Sequence, residues 1–366
     1  MVRKQLPLRL DRMSGFAALS LMLGIHGCSV LAPQSTGPNP ATSATSDASA
    51  SPGHRPLVVT TNSVVCDVTR QIVADTVDLK CLVPGGADPH EYQPKPEDGK
   101  AIEQAKLILY GGYNLESTLI KLIKASSNSA PKIAVYERAV PNPLTFEEDG
   151  KTETDPHVFH SAANGVQIAE VISENLKQLK PTNASLYAAN TTKLTDELSQ
   201  LNTWIKSEIA TIPARQQQLV TTHDAFGYYS QEYAIPVIGA LQGISTEEKP
   251  TPTRLTELVK AIQAAGVPMI FAEAKVNPKL IDAVAKEANV KVADQDLFAD
   301  GLGEQGSLAE TYQKFFIANT KTIVEGLGGT YTPFQPKTAS LSNLKQLALI
   351  NGRFTPAKPL LLWALY

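Results

Sequence analysis

The sequence predicts an α/β protein of two lobes, each with a mainly parallel sheet flanked by helices, the two joined by one long rigid helix. Three observations predict it. Short β-rich runs alternate with helical stretches from Leu57 onward, the same rhythm restarts at Leu219, and the span between the two sets carries an unusually long helical pattern.

In chain order, Leu57 to Thr61, Val77 to Val83, Leu107 to Tyr110 and Ile133 to Tyr136 read as strands. Val64 to Ala74, a segment around Ala101-Ile102, and Glu116 to Lys124 read as the intervening helices. Strands of a parallel sheet are buried on both faces, which accounts for their near-continuous apolar runs. Pro141 to Asp155, with Glu147, Glu148, Asp149 and Glu153, reads as a solvated acidic loop. From Ser185 to Ile209 the apolar residues Leu186, Leu194, Leu198, Leu201 and Ile205 recur mostly at helical spacing, with Pro181 before and Pro213 after. At ~1.5 Å per residue this helix would run roughly 35 to 40 Å, the length of both lobes. Such a connector is stiff, unlike a pair of loop hinges. The second set comprises strands at Leu219 to Thr221, Val237-Ile238, Met269 to Phe271 and Val290 to Ala293, with helices at Arg254 to Ala264 and Lys279 to Glu287.

The chain thus divides into an export signal at 1–27, a tether at 28–55, an N-terminal α/β lobe at 56–180, a bridging helix at 181–212, a C-terminal α/β lobe at 213–329 and a tail at 330–366 without matching pattern. Arg3, Lys4, Arg9 and Arg12 precede an apolar stretch from Phe16 to Ile25, too short to span a bilayer. It ends at Ile25-His26-Gly27-Cys28, which resembles a bacterial lipobox, although His26 stands where a small residue is usual. Cys28 is therefore the expected lipid-modified residue, with cleavage beside a free cysteine as the alternative. The Ser, Thr, Ala and Pro of residues 29–53 cannot form a core and suit a tether on the outer side of the cytoplasmic membrane. His54 lies in that tether and carries no role. Cys66 and Cys81 fall in the first helix and second strand, where they can pair in an oxidising compartment or stay as buried free thiols.

The 366 residues are 43% hydrophobic and 19% charged, with a formal net charge of -3, so large cores are possible and no basic field invites nucleic acid. The chemistry gathers instead around histidine. Asp88-Pro89-His90, Asp155-Pro156-His157 and Thr222-His223-Asp224 hold half of the six histidines, each where a strand gives way to a loop or helix. Proline fixes such a turn, and one instance alone would be ordinary turn chemistry. Two copies plus a third histidine after Leu219-Val220 suggest imidazoles delivered to one ion at the carboxyl ends of strands. A tetrahedral site needs a fourth ligand. Asp294, Asp296 and Asp300 are all candidates, and spacing does not choose among them. His160 reads as a solvated residue at a helix start. Glu273 could orient an imidazole or simply end a strand, and Asp88 and Asp155 are expected to cap their turns, with contact to a ring nitrogen as a further role.

Leu82-Val83-Pro84-Gly85-Gly86-Ala87-Asp88-Pro89-His90-Glu91-Tyr92, Asp155-Pro156-His157-Val158-Phe159 and Phe298-Ala299-Asp300-Gly301-Leu302 together resemble the metal-binding solute-binding proteins of bacterial zinc and manganese ABC importers. The resemblance spans roughly Leu57 to Gly329. It implies that His90, His157, His223 and Asp300 are the metal ligands, that two lobes are bridged by a helix, and that a permease with its ATPase receives the cargo from a monomeric receptor. Members regarded as manganese-selective carry glutamate where His223 stands, so Zn2+ is the expected cargo and Mn2+ the alternative. Three imidazoles and a carboxylate also suit zinc chemically. The histidine-rich loop of many zinc-binding relatives is replaced here by the acidic segment. An exported zinc hydrolase, with Asp300 or Glu273 as general base, is the rival of another class, although neither a His-Glu-x-x-His helix nor a Gly-x-Ser-x-Gly elbow is present.

Overall fold

The computed structural model describes residues 55–148, 151–274 and 277–337. The export signal, Cys28, the tether through His54 and residues 338–366 lie outside the described residues. Among the described residues no helix is long and apolar enough to cross a membrane.

In the first lobe β1 (Leu57–Thr60), α1 (Ser63–Val73), β2 (Asp78–Cys81), α2 (Pro96–Gln104), β3 (Leu107–Tyr110), α3 (Ser117–Ala125) and β4 (Lys132–Ala134) alternate, and the strands pair in parallel in the order β2-β1-β3-β4. Consecutive side chains of a strand face opposite ways. Val58 of β1 packs into the core beneath α1, and Val59 joins Ile102, Ile108, Leu119 and Ile123 on the other side. Tyr136 is not in a strand as the apolar run suggested. Register pairing with β3 ends with Tyr110 opposite Ala134, and one further bond, from Tyr136 N to Gly111 O at 2.8 Å, is made as the chain turns into the short helix α4 (Val135–Ala139).

Residues 141–155 also depart from expectation. They contain an antiparallel hairpin, β5 (Thr145–Glu148) with β6 (Lys151–Thr154), whose register runs from Thr145 opposite Thr154 to Glu148 opposite Lys151. Its high charge hides the strand period in the sequence.

After α5 (Ala162–Leu179) comes α6 (Ala184–Ile209), 26 residues long. Its buried stripe is Tyr187, Thr191, Leu194, Leu198, Leu201 and Ile205, steps of four and three that keep one face inward. Leu186 is one residue off that register and is 38% exposed, so it does not belong to the stripe its apolar character suggested. The stripe lies in a continuous core that takes in Val58 and Ile72 from the first lobe and Leu219, Phe271 and Phe316 from the second.

The second lobe comprises β7 (Leu219–Thr221), α7 (Gly227–Tyr233), β8 (Val237–Ala240), α8 (Pro252–Ala265), β9 (Met269–Ile270), α9 (Pro278–Ala288), β10 (Lys291–Val292) and α10 (Tyr312–Gly326). β7 pairs with β8 and β9 with β10, all parallel, and Phe271 N donates to Val220 O at 3.0 Å to join the pairs. Leu258, Val259 and Ile262 of α8 pack with Ile281, Val284 and Ala285 of α9 as this lobe's outer core.

Two local features complete the fold. A disulfide joins Cys66 of α1 to Cys81 of β2, with Cα atoms 5.7 Å apart. Beyond α10, residues 330–337 run back along α6: Trp204 Nε1 donates to Thr332 O at 2.9 Å, Thr332 N donates to Glu208 Oε2 at 2.7 Å, and Lys337 N donates to Gln200 Oε1 at 2.7 Å. The Trp204 ring meets Tyr331 and Phe334 at centroid distances of 5.9 and 5.6 Å.

Candidate metal centre

Each Asp-Pro-His segment closes on itself in the same way. Asp88 Oδ1 accepts from His90 N at 2.8 Å, and Asp155 Oδ1 accepts from His157 N at 2.8 Å, so the carboxylate caps a turn whose shape the proline sets. Asp155 does more, because the same oxygen lies 2.9 Å from His157 Nδ1. That bond fixes the ring so that Nε2 faces inward.

His223 leaves the end of β7 and is held by Glu273, just beyond β9. Glu273 Oε1 accepts from Thr222 N at 2.9 Å and His223 N at 3.0 Å, while Oε2 takes a short bond from His223 Nδ1. With Nδ1 donating, the free lone pair of His223 is on Nε2. This atom is buried without a hydrogen-bond partner, yet Asp300 Oδ1 stands only 3.2 Å away. Two electron-rich atoms so placed need a cation between them.

Asp300 comes from the loop between β10 and α10. Asp294 and Asp296, the other candidates, are more open to solvent, whereas Asp300 is 11% exposed beside three buried histidines. Although Asp300 belongs by sequence to the second lobe, its loop is fastened to the first: Leu302 N donates to Ser63 Oγ at 2.9 Å and Gly86 N to Leu302 O at 2.7 Å. Gly301, at φ 154°, must be glycine, since a Cβ would lie 2.5 Å from Ser63 Oγ.

Around Asp300 Oδ1 the Nε2 atoms of His90 and His157 lie at 3.2 and 3.3 Å, and these two nitrogens are 3.2 Å apart. One donor atom from each of His90, His157, His223 and Asp300 falls within 4.8 Å of every other. A tetrahedron with bonds of about 2.0 to 2.1 Å has edges near ~3.4 Å, so the spacing suits a single ion of that bond length. Among the described residues no other such cluster of His, Cys, Asp or Glu occurs. A 210 Å³ cleft lined by Ala87, Asp88, Phe298, Asp300 and Gly303 reaches the carboxylate from outside.

The electrostatics match. Burial disfavours a charged His157, but Asp155 and Asp300 outweigh it and raise the pKa. For His223 burial again opposes charge, and Asp300 with Glu273 lifts the pKa well above the usual imidazole value. Burial would push the Asp300 carboxyl up, yet His223, then His157 and His90, hold it well below the usual carboxylate range. The site therefore attracts positive charge, with protons and a metal ion in competition.

His160 is not the solvated residue the sequence suggested. It is fully buried, with ring centroids 4.4 Å from Phe226, 5.0 Å from Phe159 and 5.1 Å from Phe315. Burial, then His157, pushes its pKa down to about 3, so the ring is neutral and Nε2 donates to Ala299 O at 2.7 Å. It thereby braces the residue before Asp300. His160→Ala is expected to lower the unfolding free energy of the metal-free protein by about 2 to 4 kcal/mol through cavity and hydrogen-bond loss. Metal affinity should fall less than in His157→Ala. Denaturant unfolding and calorimetric titration check both, and a stability change under about 0.5 kcal/mol, as an ordinary surface substitution gives, would refute the bracing role.

Residues 58–326 match the family described as zinc-uptake complex component A, periplasmic. The manganese ABC transporter substrate-binding lipoprotein PsaA of Streptococcus mitis is 34% identical over 285 residues, 76% of this chain and 91% of that protein. Among solved structures, the periplasmic zinc-binding protein TroA from Treponema pallidum is similar with a TM-score of 0.70 and 31% identity, covering 75% of this chain and 99% of TroA. A Mn-bound periplasmic metal-binding protein from Candidatus Liberibacter asiaticus gives a TM-score of 0.66 at 25% identity, the match covering 75% of this chain and 100% of that one.

Proposed function

The chain belongs to the family of periplasmic zinc-uptake components A, and from that premise we propose that it captures zinc at His90, His157, His223 and Asp300 and hands it to a membrane permease powered by a separate ATPase. It is a metal ABC transporter substrate-binding protein, works outside the cytoplasm and is not an enzyme. Its cargo is a divalent metal ion. Cys28 is our assignment for a lipid anchor, in line with relatives named as lipoproteins, and a monomer suffices because one chain supplies all four donors.

The observation that carries the zinc reading is the lone pair of His223, aimed by Glu273 at the point already shared by two other imidazoles and one carboxylate. Three nitrogens and a single carboxylate favour a borderline ion over manganese, which prefers more oxygen ligands. Manganese is the second reading, favoured by similarity to relatives named for that metal.

Elemental analysis of protein purified without added metal, followed by competition between zinc and manganese, decides between them. His223→Glu, combined with Glu273→Gln so that two carboxylates do not oppose each other, is expected to move the zinc-to-manganese affinity ratio at least about tenfold toward manganese. An unchanged ratio would remove the argument for selectivity.

A further inference from the structure

The Asp300 loop is tied to the first lobe by Ser63 and Gly86, but the His223 segment is fastened across the cleft differently. Asp88, two residues before His90, caps that histidine's turn with Oδ1 and accepts a hydrogen bond from Thr246 Oγ1 with Oδ2, at 2.6 Å. Thr246 belongs to the second lobe, in the loop between β8 and α8. That loop is keyed to the His223 segment: Gln242 N donates to Thr222 O at 2.8 Å, and Asp224 N to Gly243 O at 3.0 Å. Gln242 Nε2 then holds the loop's shape by donating to Thr246 O at 3.2 Å and Glu248 O at 2.7 Å. The side chain of Gln242 is itself buried.

A continuous chain of hydrogen bonds thus runs from His90 through Asp88, Thr246 and Gln242 to the segment bearing His223. We propose that Thr246 is a positioning residue whose hydroxyl latches the second-lobe loop onto Asp88 and so keeps His90 and His223 closed around the bound ion. The inference rests on the metal-carrying reading above. A charge-assisted bond of this length, half-buried, is stronger than a neutral one. Separating His223 from His90 along this path requires breaking it. Because the bond has to break for the two histidines to part, its loss is expected to show in the departure of the ion and not in its arrival.

The test uses the full chain loaded with zinc and chased with excess chelator in a stopped-flow instrument, beside wild type, Thr246→Val and Thr246→Ser. Thr246→Val keeps the shape and removes the donor. It is expected to release zinc roughly tenfold faster with an unchanged association rate. Thr246→Ser, which keeps the hydroxyl, should restore release to within about twofold of wild type. Release from Thr246→Val at the wild-type rate would overturn the latch while leaving metal carriage intact, as would failure of Thr246→Ser to rescue. If wild type binds neither zinc nor manganese, the reading of the site falls and the latch with it.

Discussion

His90→Ala is expected to weaken zinc binding about a hundred- to a thousandfold. A four-ligand zinc site contributes an apparent ~10 to 16 kcal/mol, or roughly 2.5 to 4 kcal/mol per ligand, and each ~1.4 kcal/mol is a factor of ten. His90 is the cleanest of the three histidines to remove. His157 also satisfies Asp155, and His223 satisfies the buried Glu273, so their loss disturbs a carboxylate as well as the ion. His157→Ala and His223→Ala should therefore show equal or larger losses of affinity together with a stability penalty. Calorimetric titration, with competition by a chelator for the tight wild type, measures the ratio. A loss at His90 no greater than that at His160 would place the ion elsewhere.

The second large effect is on pH. A ligating imidazole must be neutral, and in the metal-free protein His157 and His223 hold their protons above the ordinary imidazole value near ~6.5. Metal must displace those protons. Affinity is then fully present above the raised values and falls as pH drops through them, beginning at higher pH than the fall between roughly 6 and 5 that free histidines would give. Each displaced proton costs about tenfold per pH unit, so the slope should approach about a hundredfold per unit where both rings are protonated. Asp300, held well below the carboxylate range, stays ionised throughout that window. The metal-free fold responds with the opposite sign, since protonated His157 and His223 stabilise it below their unfolded values and that contribution is lost as pH rises through the folded ones. Titration at several pH values with and without metal tests both slopes, and an affinity that does not change between about pH 8 and about pH 6 contradicts histidine ligation.

The alternation of elements was legible because parallel strands covered on both faces, such as Val58-Val59, announce themselves as apolar runs. Two Asp-Pro-His turns marked His90 and His157 because proline and an aspartate cap make a local motif. Asp300 could not be picked from Asp294 and Asp296 by spacing, since what distinguishes it is burial produced by distant contacts with Ser63 and Gly86. His160 misled for the same reason: its neighbours Phe226 and Phe315 are 66 and 155 residues away along the chain. Thr246 carries no signal at all, being one hydroxyl in a polar loop, and the hairpin after Leu144 was masked by its charge.

Residues 330–337 have a practical bearing on how this protein is handled. The stretch recognised as the common family ends at residue 326, and cutting the gene there for expression would discard the backbone that Glu208 and Gln200 bind and the aromatic rings that cover Trp204. Glu208, only 4% exposed, would be left with a carboxylate oxygen facing no donor. A fragment for crystallisation or calorimetry therefore has to keep the chain at least through Lys337.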